Sequence, residues 1–283
     1  MGSCDDQVAF ITGASRGIGR AIAQRFAAEG ASVVLCASRL GTHGNLTGTL
    51  EEAVSEIQAA GGKASALVAN LANPDAREGL VERASEAFGP IDILVNNAAG
   101  SKMVLPSQTT NKDRLFMYEM NLNGPIDLAI QAIPSMRERG AGWILNITSA
   151  SATQPALPYR DSKMAAHIIT AYGATKAALD RYTIGLAHEL IDDGIFVNAM
   201  APTSIVLTQG ADYVRDIARK NPDMAEPVEM MAEAALELCT GRHVGQVVFS
   251  RDIVHRVGRK VRSLDGQTVL GDAFLAADIE AKG

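Results

Sequence analysis

Val8-Ala-Phe-Ile-Thr12-Gly13-Ala-Ser15-Arg16-Gly17-Ile18-Gly19-Arg20-Ala-Ile22 is the stretch that decides the fold. An apolar run leads into three glycines spaced G-x-x-x-G-x-G, and Ile18, Ile22 and Phe26 then recur at i, i+4 and i+8, one face of a helix. The order is strand, tight turn, helix. Glycine accepts the positive backbone angles such a turn needs and, lacking a Cβ, lets a ligand approach the main chain. The first amides of the helix have no internal partner, which makes that end a site for a pyrophosphate. Glu29-Gly30 stops the helix and Ala31 to Ala37 is a second apolar run, completing the βαβ setting that a dinucleotide requires.

Composition sets bounds around this core. At 283 residues, 47% hydrophobic and 20% charged, the chain reads as one globular α/β domain over 1–283, with 251–283 a C-terminal extension. The net charge of −6 carries no basic excess, so no nucleic-acid partner is expected. No apolar run approaches the roughly 20 residues that cross a bilayer. Met1-Gly-Ser-Cys-Asp-Asp lacks the pattern of a signal peptide. Cys4, Cys36 and Cys239 form no metal-like cluster, and so sparse a count suits a reducing compartment. The expectation is a cytoplasmic protein with no metal and no membrane partner.

Taken in order, the second strand ends without the acidic residue that binds a ribose 2′-hydroxyl in NAD sites. Ala37 stands there, followed by Ser38 and Arg39, with Arg16 in reach from the glycine turn. Two guanidiniums and a hydroxyl suit a phosphate dianion, so the expected cofactor is NADP(H), with NAD(H) left open. Leu50 to Ala60 reads as a helix, Ser65 to Leu71 as a strand, Ala76 to Phe88 as a helix, and Ile91 onward as a strand running into Asn96-Asn97-Ala98-Ala99-Gly100. Lys112 to Leu128 reads as a long helix containing Asn121, and Gly142 to Ser149 as a fifth strand with Ser149 at its C-terminal end.

Two Tyr-x-x-x-Lys pairs follow, Tyr159/Lys163 and Tyr172/Lys176, each one above the other on a helix face. An ammonium near a phenol favours the phenolate, and such a tyrosine can give a proton to an alkoxide or take one from an alcohol. On chemistry alone either pair qualifies.

Together the T-G-x-x-x-G-x-G turn, the Asn-Asn-Ala-Ala run, the asparagine in its N-x-x-G context and Ala171-Tyr-Gly-Ala-Thr-Lys-Ala-Ala-Leu179 resemble the short-chain dehydrogenase/reductase family over roughly residues 5 to 250. Lys176 lies 22 residues before Asn198 of the next strand, the family's usual interval, whereas Lys163 lies 35 before it. Tyr172 and Lys176 are therefore the expected working pair. Ser149 then stands 23 residues before Tyr172, longer than the family keeps, so an insertion lies beside the substrate. A longer surface loop costs little in closure entropy. Tyr159 and Lys163 are expected to shape the substrate mouth.

The resemblance implies a single Rossmann-type, doubly wound parallel sheet of about seven strands, order 3-2-1-4-5-6-7, with right-handed crossovers. It implies hydride transfer between NADP(H) and a small-molecule carbonyl/alcohol pair, with Tyr172 as acid or base. Lys176 lowers its pKa and binds ribose, Ser149 polarises the carbonyl oxygen, and Asn121 holds a relay water. Cofactor contacts carried over are Gly13, Ser15, Arg16, Gly17, Ile18, Gly19, Ser38, Arg39, Asn70, Leu71, Asn97, Ala98, Ala99, Tyr172, Lys176, Pro202 and Ile205. Asn70 stands where the family usually has Asp, and Thr203 where it has Gly. A homodimer or homotetramer is the family's habit. A cofactor-binding regulator and an enoyl-type reductase are the alternatives. Gln209 to Asn221 is expected as a lid, Glu226 to Leu238 as a helix, Gly245 to Phe249 as the last strand, and the basic tail from Arg251 as a solvated extension or subunit contact.

Overall fold

The structure is a computed structural model and describes residues 2–42, 47–153, 169–203, 205–206, 208 and 225–271. Strand β1 (Val8–Thr12) is buried at every position. Its alternate side chains enter two cores, Ala9 and Ile11 on one face and Val8 and Phe10 on the other. Burial on both faces is why its sequence reads as a continuous apolar run.

In chain order come β2 (Ser32–Ala37), β3 (Lys63–Val68), β4 (Ile93–Asn96), β5 (Gly142–Ile147), β6 (Ile195–Ala201), the short β7 (Ile205–Val206) and β8 (Ala225–Glu226), and β9 (Val247–Phe249). Seven of them form one parallel sheet ordered 3-2-1-4-5-6-9. β7 and β8 pair separately, so the order is the expected one with two numbers intervening.

Among the described residues the helices are α1 (Gly17–Ala28), α2 (Leu50–Ala59), α3 (Pro74–Arg77), α4 (Leu80–Phe88), α5 (Asn111–Tyr118), α6 (Gly124–Arg139), α7 (Thr170–Leu190), α8 (Val228–Thr240) and α9 (Ser250–Val257). Ile22, Phe26, Leu50 and Met230 bring α1, α2 and α8 to the first core, while Leu80, Leu128 and Leu186 bring α4, α6 and α7 to the second. Strand order reverses between β1 and β4, which opens a crevice beyond their C-terminal ends. Among the described residues no helix is long and apolar enough to cross a membrane.

Several expected boundaries move. β3 runs Lys63–Val68 and stops before Asn70. The helix expected over 76–88 is broken, because Glu78 is extended and Gly79 left-handed with φ +59°. Arg77, buried at the break, is held by Asp127, Glu119 and the Leu71 carbonyl. The helix expected over 112–128 extends from Asn111 to Arg139, with a π-helical turn at Glu119–Asn123 between α5 and α6. Ser149 lies two residues past β5. Pro227 separates strand Ala225–Glu226 from α8, so that helix starts at Val228.

The tail requires correction. Up to residue 271 it is part of the fold: Ser250, Ile253, Val254 and Val261 are buried, the last three in the core shared with α1 and α8. Its cations have internal partners, Arg251 on Ala225 O, Arg256 on Gln246, Arg259 on Glu233 and Glu237, and Arg262 on Gly266 O. The apolar face of α9 was outweighed by its basic residues when read as sequence.

Candidate active site

The glycine turn sits at the switch point and is tied to β4. The Thr12 hydroxyl accepts from the amides of Asn97 and Ala98, each at 3.0 Å. Asn97 Nδ2 donates back to Thr12 O at 2.8 Å and Gly13 O at 3.1 Å. Gly13 and Gly17 have φ of +65° and +56°. A Cβ on Gly19 would overlap Asn97 Nδ2 and lie 2.6 Å from Gly13 O. No side chain caps the start of α1, and its first turn holds no acidic residue. The turn is thus shaped for close approach, and uncapped amides end it, which is what a pyrophosphate needs. These residues fit a dinucleotide. Thr208 adds to the site from the far side, its side chain 3.5 Å from where a Cβ on Gly17 would be.

Ala37 ends β2, and Ser38 and Arg39 follow it on the surface. Arg16, half-buried, donates to Thr47 O at 3.3 Å. Asn70 is exposed and closes a local turn by accepting from Ala72 N. Leu71 is buried in the core, and its carbonyl accepts from Arg77 at 2.6 Å. Ala99 is exposed beside half-buried Ala98. Past β6, Pro202 precedes Thr203, whose amide donates to the buried carboxylate of Glu226. Ile205 lies in the β7–β8 pair.

The described Tyr-x-x-x-Lys pair is carried by the first turns of α7. Lys176 is 2% exposed and donates from Nζ to Ile147 O, at the tip of β5, at 2.7 Å. The same Nζ lies 5.8 Å from the centre of the Tyr172 ring. Burial pushes the Lys176 ammonium down to about 8, opposed by Asp180. A Cβ on Gly173 would come 2.5 Å from Ser151 O. That close approach sets the start of α7 on the turn containing Ser149, whose Oγ accepts from the amide and hydroxyl of Ser151.

Asn121, fully buried in the π-helical turn, exchanges both hydrogen bonds with the Gly100 backbone at 2.8 Å. It also donates to Thr175 Oγ1 at 3.1 Å, and that hydroxyl donates to Tyr172 O at 2.7 Å. Both Nδ2 protons are thereby committed inside the protein. Its structural effect is to join the Gly100 loop, the α5–α6 turn and α7. Asn198, the marker of the strand interval, bridges His243 O and Gln246 N.

Tyr159, Lys163, the insertion and the expected lid over 209–221 lie outside the described residues. Sequence reading passed over Thr12, Gly173, Thr175 and Asp180. A glycine directly after the tyrosine of an otherwise unbroken helix, and an acid spaced i+4 from Lys176, were the available signals.

Comparison with known proteins gives a consistent result. A family model described as short chain dehydrogenase matches residues 7–218. Hydroxysteroid dehydrogenase-like protein 2 of Danio rerio is 34% identical over 274 residues, covering 94% of this chain and 63% of that protein. The chain thus spans a little under two thirds of that relative. Among solved structures, a 3-oxoacyl (acyl-carrier-protein) reductase from Agrobacterium tumefaciens C58 with NADP bound has a TM-score of 0.73 at 30% identity, over 87% of this chain and 93% of that one. L-sorbose reductase from Gluconobacter frateurii, complexed with NADPH and L-sorbose, gives 0.73 at 30%, over 87% and 95%.

Proposed function

The chain belongs to the short-chain dehydrogenase family, and from that premise we propose that it is an NADP(H)-dependent oxidoreductase interconverting a carbonyl and an alcohol, with Tyr172 as acid and base. The observation that carries this reading is the buried Lys176 amine, pinned to the tip of β5 and 5.8 Å from the Tyr172 ring centre. Bound at the glycine turn, NADP(H) supplies or accepts the hydride.

The protein's own residues do the rest. Gly13, Gly17 and Gly19 let the pyrophosphate approach the first amides of α1, with Ser15 and Ile18 on the same turn. Arg16, Ser38 and Arg39 would hold the 2′-phosphate, with no acidic residue at the end of β2 to repel it. Asn70 and Leu71 would border the adenine, Asn97, Ala98 and Ala99 would let the backbone pass close to the cofactor, and Pro202 and Ile205 would lie at the nicotinamide. Lys176 has two ammonium protons beyond the one on Ile147 O for ribose hydroxyls. In reduction the Tyr172 phenol gives its proton to the carbonyl oxygen as it gains negative charge, while the Ser149 hydroxyl donates to the same oxygen. In oxidation the phenolate takes the alcohol proton. Asn121 has one Oδ1 lone pair left for a relay water.

The relatives' names span steroid, acyl and sugar carbonyls, so the proposal stops at the carbonyl/alcohol class. A cytoplasmic location and a homodimer or homotetramer belong to the same reading. The three free, buried cysteines support the first, and family membership alone supports the second.

A panel of ketones, aldehydes and alcohols followed by NADPH absorbance tests the proposal. Turnover is expected with kcat/KM for NADPH at least tenfold above that for NADH. Preference for NADH would overturn the cofactor assignment, and reduction of C=C bonds with carbonyls untouched would overturn the reaction class.

A further inference from the structure

Tyr172, Lys176 and Asp180 stand at i, i+4 and i+8 of α7, so they follow one another along one helix face. Asp180 is 9% exposed, and its Oδ1 has no hydrogen-bond partner. The Thr148 hydroxyl just past β5, which donates to Lys176 O at 3.5 Å, favours the ionised carboxylate. An unpartnered buried carboxylate oxygen is costly. Lys176 is as unusual from the other side: a fully buried amine whose hydrogen bond goes to a single neutral carbonyl, Ile147 O.

We infer that Asp180 is a positioning residue for the Tyr172–Lys176 pair, its carboxylate holding the Lys176 ammonium charged so that the phenol beside it stays acidified. The inference rests on Tyr172 and Lys176 being the working pair. An uncharged amine would do nothing for the phenol, because phenolate is favoured only by the ammonium. Burial drives the lysine toward that uncharged state, and the countercharge one turn further on opposes it. Burial raises Asp180 to about 6, against Thr148 and Lys176, while Lys176 falls to about 8. Between those values both groups are ionised.

Among the described residues, the charges on the elements packed against α7 are engaged elsewhere or lie at its ends. On the elements packed against α7, Glu119 is bound by Arg77 and Asn123, Asp113 by Thr110, and Arg114 by Thr109 O and Asn111. Lys112 is exposed at the start of α5, and Asp192 and Asp193 lie at the far end of α7. Deeper along the same helix face the polar contacts are neutral, Asn96 to Asn146 and Asn146 to Thr183, each at 2.9 Å.

The test is to titrate Lys176 in the full chain, with and without NADP(H), by NMR of carbon-labelled lysine side chains, and to record kcat against pH. Lys176→Met assigns the signal. In the unaltered protein the Lys176 signal should show a second, acid-side inflection as Asp180 gains its proton. Asp180→Asn should lower the lysine's proton affinity about tenfold or more and move the alkaline limb of kcat to lower pH by the same shift. Asp180→Glu should restore both. A Lys176 midpoint and alkaline limb unmoved in Asp180→Asn, with only stability or overall rate reduced, would overturn the inference. Should Asp180→Asn fail to fold, absence of the acid-side inflection in the unaltered protein would do the same. Turnover surviving in Tyr172→Phe would instead remove the underlying mechanism, leaving the lysine titration to be judged separately.

Discussion

At the scale of single residues, burial sets the chemistry. Lys176 holds fewer protons in the folded protein than in the unfolded chain between about 8 and 10.5. Stability therefore rises with pH through that window, and the cost of burying the charge is fully present below it. Relative to Lys176→Met, the parent protein should gain of order 3 kcal/mol from pH 8 to 10.5, read by urea unfolding. Gly19→Ala presses a methyl group onto Asn97 Nδ2 and the Gly13 carbonyl. It should cost about 1–3 kcal/mol and weaken NADPH binding, read by NADPH fluorescence. Sequence reading found these positions because glycine spacing and Tyr-x-x-x-Lys declare themselves. It passed over Thr12 and Thr175, since a hydroxyl that accepts from another strand or joins two helices has no signature in its own neighbourhood.

At the scale of elements, a buried charge network fixes α1, the helix behind the glycine turn. Arg25, 1% exposed, is paired with Glu29 of the same helical segment and with Glu233 of α8, itself 1% exposed, and Arg259 beyond α9 closes on Glu233 and Glu237. Glu233→Gln leaves two guanidiniums without their shared carboxylate and should cost about 3–5 kcal/mol, measured by denaturant unfolding. Burial alone would raise Glu29, but hydrogen bonds from Ser3 and Arg25 hold it at about 2 against 4.5. Its contribution is complete above pH 4.5 and is lost as pH falls toward 2. Glu29→Gln should therefore narrow the stability difference from the parent protein across that acid window. Only the i,i+4 spacing of Arg25 and Glu29 is local; the rest is invisible in the sequence, because Glu233 lies 208 residues beyond Arg25 along the chain.

At the scale of the whole molecule, the parallel sheet is legible from the apolar runs of its inner strands, which are buried on both faces, while the edge strands β3 and β9 are mostly uncovered. Periodicity misplaced the boundaries at Gly79 and Pro227, where local backbone geometry overrides a continuing apolar pattern. In the tail, basic residues read as solvated in sequence, whereas Arg251, Arg256, Arg259 and Arg262 bond Ala225 O, the Gln246 side chain, Glu233 with Glu237, and Gly266 O. Deleting residues 250–271 removes Ile253, Val254 and Val261 from the core they share with α1 and α8, so it should uncover apolar side chains of those helices and lower the melting temperature markedly, read by calorimetry. The choice between two Tyr-x-x-x-Lys pairs also belongs to this scale, because it depends on where the insertion interrupts the family's spacing. The most direct measurement is kcat on the best panel substrate for Tyr172→Phe and Tyr159→Phe, each checked for a native fold. A fall of about 100- to 10,000-fold in Tyr172→Phe with near-parental turnover in Tyr159→Phe is the expected result, and the reverse pattern would contradict the account.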